Sequence, residues 1–344
     1  MGVRVVAIGS GGRALAELRE SGIPVRELGG EGAAAGLVRL PALLAERKAA
    51  PTVVVSWSYN AHALAGLFAR LTGTPHVINW HRQPGFLGSG IQERATQLAG
   101  CLGAGAIAVS DTQIPDLDTL RVGRSRVRVV PNGVPDPIDL DDSGAALRAD
   151  LDLPADILVA VLVARLRPEK RVSDFIRAVG SAAERGVRVQ GVVVGDGPED
   201  SSLRSEAEAT NAPVRFVGFQ QDPRRYILAA DVTCLTSGFE ALPMALIEAA
   251  ACGRACVTTD VGGTREIVVD GESGFVVAPG DVEAFAGALE RLAAGTGLAQ
   301  RMGRMARERW RARFTFERMV DKYVELLSSV SGPPTAWHDV GATT

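Results

Sequence analysis

Two carboxylates, Glu240 and Glu248, stand eight residues apart in Ser237-Gly-Phe-Glu240-Ala-Leu-Pro243-Met-Ala-Leu-Ile-Glu248, a stretch that is otherwise apolar. Eight residues is a little over two helical turns. A helix begun near Pro243 therefore leaves Glu240 in the entry loop and sets Glu248 on an apolar face. Taken alone, such a Glu reads as a buried acid satisfied by neighbouring backbone, because unpaired carboxylates avoid apolar surroundings. Other charged and glycine-rich clusters surround it in sequence. Upstream are Val163-Ala-Arg165-Leu-Arg-Pro-Glu-Lys170 and Gly195-Asp196-Gly197-Pro198; downstream are Asp260-Val-Gly262-Gly263-Thr-Arg-Glu266 and Asp270-Gly271-Glu-Ser-Gly274.

The elements that must position these groups alternate regularly. Short apolar, β-branched runs predict strands at residues 3–8, 23–28, 52–56, 76–79, 106–109 and 126–130. A second set follows at 157–163, 187–194, 214–217, 232–235, 255–258 and 274–277. Amphipathic stretches lie between most of them, the βαβα rhythm of parallel sheets covered by helices on both faces, so the fold class is α/β. The 344 residues, 46% of them hydrophobic, suffice for two ordinary domains. The expected division is a first domain at 1–140, a turn-rich linker at 141–154 and a second domain at 155–312. A helix at 313–330 with apolar residues at helical spacing and a flexible tail at 331–344 complete the chain.

The charge balance, 37 Lys+Arg against 40 Asp+Glu for a net charge of -3, gives no reason to expect a nucleic-acid partner. No long apolar run predicts a membrane span or a secretory signal, so the expectation is a cytoplasmic protein. Cys101, Cys234, Cys252 and Cys256 lack zinc or redox spacing, and three of them fall in apolar strand or helix contexts that favour core packing. No metal site is expected.

In this order and at these spacings, over roughly residues 105–330, the motifs resemble the nucleotide-sugar domain of the retaining glycosyltransferases of family 4, marked by a Glu, seven residues and a second Glu. The resemblance implies the GT-B architecture, two Rossmann-like doubly wound domains facing each other across a cleft. It also implies transfer of a hexose-type sugar from a nucleotide-sugar donor, a UDP-sugar by family frequency, to an acceptor hydroxyl with retention and without metal or other cofactor. The acceptor class spans sugars, lipid-linked saccharides and small molecules. Peripheral contact with a membrane is compatible with the Arg-rich stretch 301–313, although Glu308 interrupts it.

Carried onto this chain, the resemblance makes Glu240, Arg165, Lys170 and His81 the catalytic set. Arg165 and Lys170 would grip the diphosphate, Glu240 the transferred sugar, and His81 would touch that sugar from the first domain. Glu248 would accept from the ribose hydroxyls. Gly195, Asp196, Gly197, Ala241, Leu242, Pro243 and Met244 would line the donor, the last four by opening a helix toward the phosphates. Gly195 and Gly197 are open to two readings: close approach to a ligand, or a strand-to-helix turn. Gly11, Gly12, Tyr59, Asn60 and His62 are placed on the acceptor side. Ser110-Asp111 and Pro131-Asn-Gly-Val134 read as structural landmarks.

Relative to the resemblance the amino-terminal half looks short by one β-α unit, which keeps a nucleotide-sugar-binding accessory protein as an alternative. Gly9-Ser-Gly11-Gly12-Arg-Ala14, with Glu27 after the next strand, also fits a dinucleotide fingerprint and keeps an NAD(P)-dependent oxidoreductase as a remoter one. That motif leaves Arg165, Lys170 and the Glu pair without a role.

Overall fold

The structure, a computed structural model, describes residues 4–7, 13–27, 53–57, 59–80, 90–119, 121–137, 143–154, 156–295 and 297–330. Among these, the strands are Val5–Ala7 (β1), Val25–Glu27 (β2), Val54–Ser56 (β3), His76–Trp80 (β4), Gly105–Ala108 (β5) and Val127–Val129 (β6). They continue with Leu158–Val163 (β7), Val189–Val194 (β8), Val214–Gly218 (β9), Val232–Leu235 (β10), Ala255–Thr259 (β11) and Gly274–Val277 (β12). Each matches a run expected from sequence to within two residues at either end. Runs such as Leu-Val-Ala-Val-Leu-Val in β7 are apolar at every position because both faces of the strand are covered.

The chain divides into two compact units, residues 1–108, 113–130 and 323–344 in the first and 109–112 and 131–322 in the second. The first unit holds parallel β1-β2 and a four-stranded parallel sheet β3-β4-β5-β6. Ile78, Trp80, Ala106, Ala108 and Leu117 form its core. The Asn79 side-chain amide donates to the Tyr323 hydroxyl within this unit at 2.7 Å.

The second unit is one six-stranded parallel sheet in the order β12-β11-β10-β7-β8-β9. Counted from β7, that is the doubly wound order 3-2-1-4-5-6, with its switch point between β7 and β10. On one face Leu162 and Val193 meet Phe175 and Ile176 of the Val172–Glu184 helix and Phe285 of Val282–Ala294. On the other, Val161 and Val192 cluster with Leu246 and Ile247 of Met244–Ala251, Trp310 of Leu298–Arg313, and Phe314.

The expected linker differs. Residues Ser143–Asp150 form a helix of the second unit, packed on the Arg224–Ala229 helix. A Cβ on Gly144 would lie 2.5 Å from the Leu228 carbonyl, and Arg148 reaches Asp231 at 3.2 Å. Turn-forming residues flank this helix, but its own Ala-Ala-Leu-Arg is good helix former, and packing decides the outcome. No helix among the described residues is long and apolar enough to cross a membrane. Burial pushes the Cys252 and Cys256 thiols up to about 12 and Cys234 well above its ordinary value, so these three are inert packing groups.

A buried polar cluster sits inside the first unit. The Ser56 hydroxyl is 2.8 Å from both His62 Nδ1 and His76 Nε2, and His76 Nδ1 has no hydrogen-bond partner among the described residues. Burial pushes His76 down from 6.5 to about 4. The unfolded chain therefore takes up a proton between pH 6.5 and 4 that the folded chain refuses. Stability should rise with pH across that window and be lost on acidification by up to about 3 kcal/mol. Chemical denaturation at pH 7 and pH 4.5, repeated on His76→Gln, checks this; an unchanged pH dependence in the variant would refute it.

Candidate active site

At the switch point of the second sheet, the loops leaving β7, β10 and β11 interlock through their backbones. Thr236 donates its hydroxyl to the Lys170 carbonyl at 3.0 Å, and the Gly238 N–H donates to the Glu169 carbonyl at 2.8 Å. Thr259 donates its hydroxyl to the Ser237 carbonyl at 2.7 Å. The Gly263 N–H donates to the Ala241 carbonyl at 2.9 Å. These contacts bring residues seventy positions apart into one cluster.

Lys170 Nζ lies 2.6 Å from Glu240 Oε1, and the Ser237 hydroxyl donates to the same oxygen at 2.7 Å. Glu240 is only 6% exposed. A carboxylate so enclosed needs a cation and donors, and the β7 exit loop supplies the cation while Glu240's own loop supplies Ser237. Pro243, at the head of the Met244–Ala251 helix, opens it without a side-chain cap. The first N–H groups of that helix therefore lack intrahelical partners and, with the helix dipole, favour an anion. Met244 is exposed there, whereas Ala241, Leu242 and Pro243 are buried.

One turn and a little further along, Glu248 is half-buried, and its carboxylate makes no hydrogen bond or ion pair among the described residues. Burial pushes its carboxyl above the usual range; the Arg224 charge pulls it back and Asp222 adds to the rise. The side chain of Arg165, exposed on the β7 exit loop, likewise has no hydrogen bond or ion pair among the described residues. An incompletely satisfied carboxylate on a helix with a bare start is an incomplete polar set, of the kind a ligand with an anionic group and hydroxyls would complete, and the loop that carries Arg165 also brings Lys170 to the Glu240 loop.

The glycine turn is pressed against protein backbone. A Cβ on Gly195 would lie 1.9 Å from the Ala164 carbonyl oxygen, and one on Gly197 2.3 Å from that of Leu166. The Leu166 N–H donates to the Asp196 carbonyl at 2.7 Å, so these glycines let the β8 loop press on the segment carrying Arg165. The Asp196 residue itself is exposed.

Gly262 does the same for Glu240. Its φ is +48°, and a Cβ would stand 1.8 Å from the Glu240 carbonyl oxygen. Gly262→Ala is expected to cost about 2–4 kcal/mol and to lower turnover by displacing the Glu240 loop. A thermal melt at wild-type temperature would show that the loop does not need the glycine.

His81, Gly11 and Gly12 lie outside the described residues. Tyr59 and Asn60 begin the Tyr59–Thr72 helix, and their side chains are not among those described. His62 corrects the expectation of an acceptor-side group. It is 2% exposed and bonded to Ser56, because its place in the helix turns it toward β3 and β4. Ser110 and Asp111 do act as landmarks, the Ser110 hydroxyl and the Asp111 N–H both donating to Glu266 Oε1, the latter at 3.0 Å. Sequence reasoning gave no role to Ser237, Gly262, Asp222 or Arg224. A Ser three residues before Glu240 and a Gly pair after β11 were visible signals; nothing local marked the other two.

Residues 145–309 match the family described as glycosyl transferases group 1, and residues 1–136 match glycosyltransferase family 4. The chain belongs to the GT-B glycosyltransferases related to family 4.

It is 34% identical over 187 residues to the lipopolysaccharide core biosynthesis glycosyltransferase LpsE of Rhizobium meliloti, covering 53% of each chain. It is 33% identical over 222 residues to the D-inositol 3-phosphate glycosyltransferase of Saccharomonospora viridis, covering 60% of this chain and 52% of that protein. The match thus spans about half the length of these relatives. Among solved structures, Anabaena HepE in complex with UDP superposes with a TM-score of 0.84 at 22% identity, over 94% of this chain and 92% of that one. HepE is also known in complex with UDP-glucose.

Proposed function

We propose that the chain is a retaining, metal-independent glycosyltransferase that moves a hexose-type sugar from a nucleotide-sugar donor, a UDP-sugar first, to an acceptor hydroxyl. The observation that carries this reading is Glu248: a half-buried carboxylate without a hydrogen-bond partner among the described residues, on a helix whose bare start favours an anion. A nucleoside diphosphate supplies both missing parts, a vicinal diol for the carboxylate and a diphosphate for the helix start. The UDP and UDP-glucose complexes of HepE support the choice of carrier.

In this mechanism Arg165, Lys170 and the first N–H groups of Met244–Ala251 hold the diphosphate. The bond from the anomeric carbon to the phosphate oxygen breaks, and the electron pair leaves with the diphosphate. The acceptor oxygen bonds the same carbon from the same face, and its proton passes to the departing phosphate oxygen, so no separate base is needed. Glu240, oriented by Lys170 and Ser237, binds the sugar hydroxyls and stabilises positive charge developing on the ring. The acceptor, whether a sugar, a lipid-linked saccharide or a small molecule, is chosen by residues outside this cluster.

Calorimetric titration with UDP, GDP and NAD, repeated on Glu248→Ala, tests the reading. UDP or GDP binding abolished by the substitution supports it. NAD binding indifferent to Glu248, with no nucleoside diphosphate bound, would overturn it.

A further inference from the structure

Glu248 is not the only charged group near the start of the Arg224–Ala229 helix, which packs beside Met244–Ala251. Arg224 is the first residue of that helix, and its guanidinium is gripped at both ends by Asp222, Nε to Oδ1 at 2.8 Å and Nη2 to Oδ2 at 3.0 Å. The Arg224 backbone N–H also donates to Asp222 Oδ1, at 3.2 Å. A planar fork locked onto one carboxylate in this way leaves its rotamer no freedom to reach another. Yet Arg224 and Glu248 lie within each other's field and make no ion pair.

We infer that Asp222 is a positioning residue that holds the Arg224 guanidinium off Glu248, keeping that carboxylate open for the hydroxyls of a nucleoside diphosphate; the inference rests on the reading of Glu248 proposed above. Without Asp222, Glu248 is the other carboxylate whose charge acts on Arg224, from the helix packed beside its own. An arginine closing on it would occupy the lone pairs the diol needs. The acid two residues before Arg224 thus supports nucleotide binding without touching the nucleotide. Arg224, held at a distance, sets its positive field against the burial that raises the Glu248 carboxyl.

The expected signature runs against simple charge counting. Asp222→Asn should weaken UDP binding about tenfold, the work of one competing ion pair. Arg224→Gln in the same chain should restore UDP affinity to within about twofold of Arg224→Gln alone. Arg224→Lys keeps the charge but loses the two-point grip, so it should bind UDP more weakly than Arg224→Gln; this comparison leaves Asp222 in place. Calorimetric titration of UDP into these variants and the wild type reads all of this, with thermal melts confirming that each is folded. Wild-type binding with undiminished affinity in Asp222→Asn would overturn the inference. So would a loss in Asp222→Asn that Arg224→Gln does not repair, or an Arg224→Lys that binds as well as Arg224→Gln. A wild-type chain that binds no nucleoside diphosphate would instead overturn the underlying reading of Glu248.

Discussion

Lys170→Ala should cost this protein both stability and activity. It strips the cation from a carboxylate that is 6% exposed, leaving Ser237 as the remaining named donor to Glu240 Oε1. Breaking one side of a buried pair costs roughly 3–5 kcal/mol. Because Lys170 keeps 21% of its side chain in solvent, about 2–4 kcal/mol is expected here. The proposed reaction loses a phosphate ligand at the same time, so kcat/KM should fall on the order of a thousandfold.

Adding Glu240→Gln separates the two effects. With no charge left to strand, the double variant should recover most of the stability and none of the activity. Denaturant melts and donor turnover on the three proteins check this. If Lys170→Ala melts with the wild type, the pair is not what holds Glu240.

Glu248→Gln has the opposite sign in stability and an equally large effect on binding. Burial raises the carboxyl above its ordinary value of 4.5. The folded chain therefore holds that proton more tightly than the unfolded one. The stability this contributes is full below about pH 4.5 and is lost as the pH rises through the raised value, so at neutral pH the charge is a net cost. Glutamine removes that cost, and the melting temperature should rise by a few degrees, no more than about 4 °C.

The proposed diol contact vanishes with the charge, and UDP affinity should fall about a hundredfold, equivalent to two weakened charge-assisted hydrogen bonds. In the wild type, UDP affinity should itself decline as the pH is lowered through the Glu248 titration, because only the ionised form accepts both hydroxyls. A variant that is more stable and blind to UDP is the signature of a residue kept for its ligand. A less stable Glu248→Gln would mean instead that Glu248 is a structural acid. In the companion substitution, Glu240→Ala should lower turnover more than donor affinity.

The strands, the helix opening at Pro243 and the places of Glu240 and Glu248 on either side of that opening are legible in the sequence because each depends on neighbours in the chain. Apolar runs bounded by turn residues become strands, and a proline can head a helix that no side chain caps. The motifs around Arg165, Lys170 and the two Glu residues were enough to point to the glycosyltransferase family, and their positions after β7 and β10 placed them at strand ends.

What the chain does not display locally is which strands lie side by side. The order that sets β10 against β7 puts Lys170 within 2.6 Å of a carboxylate seventy residues away, and so joins two expected ligand-contacting residues in an ion pair. The same long-range packing assigned Gly195 and Gly197 to the backbone of residues 164–166, enclosed His62 with Ser56, drew 143–150 into a helix of the second unit, and locked Arg224 on Asp222 beside Glu248. Periodicity and capping act over a few residues, so sequence alone determined the elements and the residue types they carry. Contacts between charges and backbones far apart in the chain exist only once the sheet has assembled, so the tertiary structure alone decided which of those residues are already paired and which remain open to a ligand.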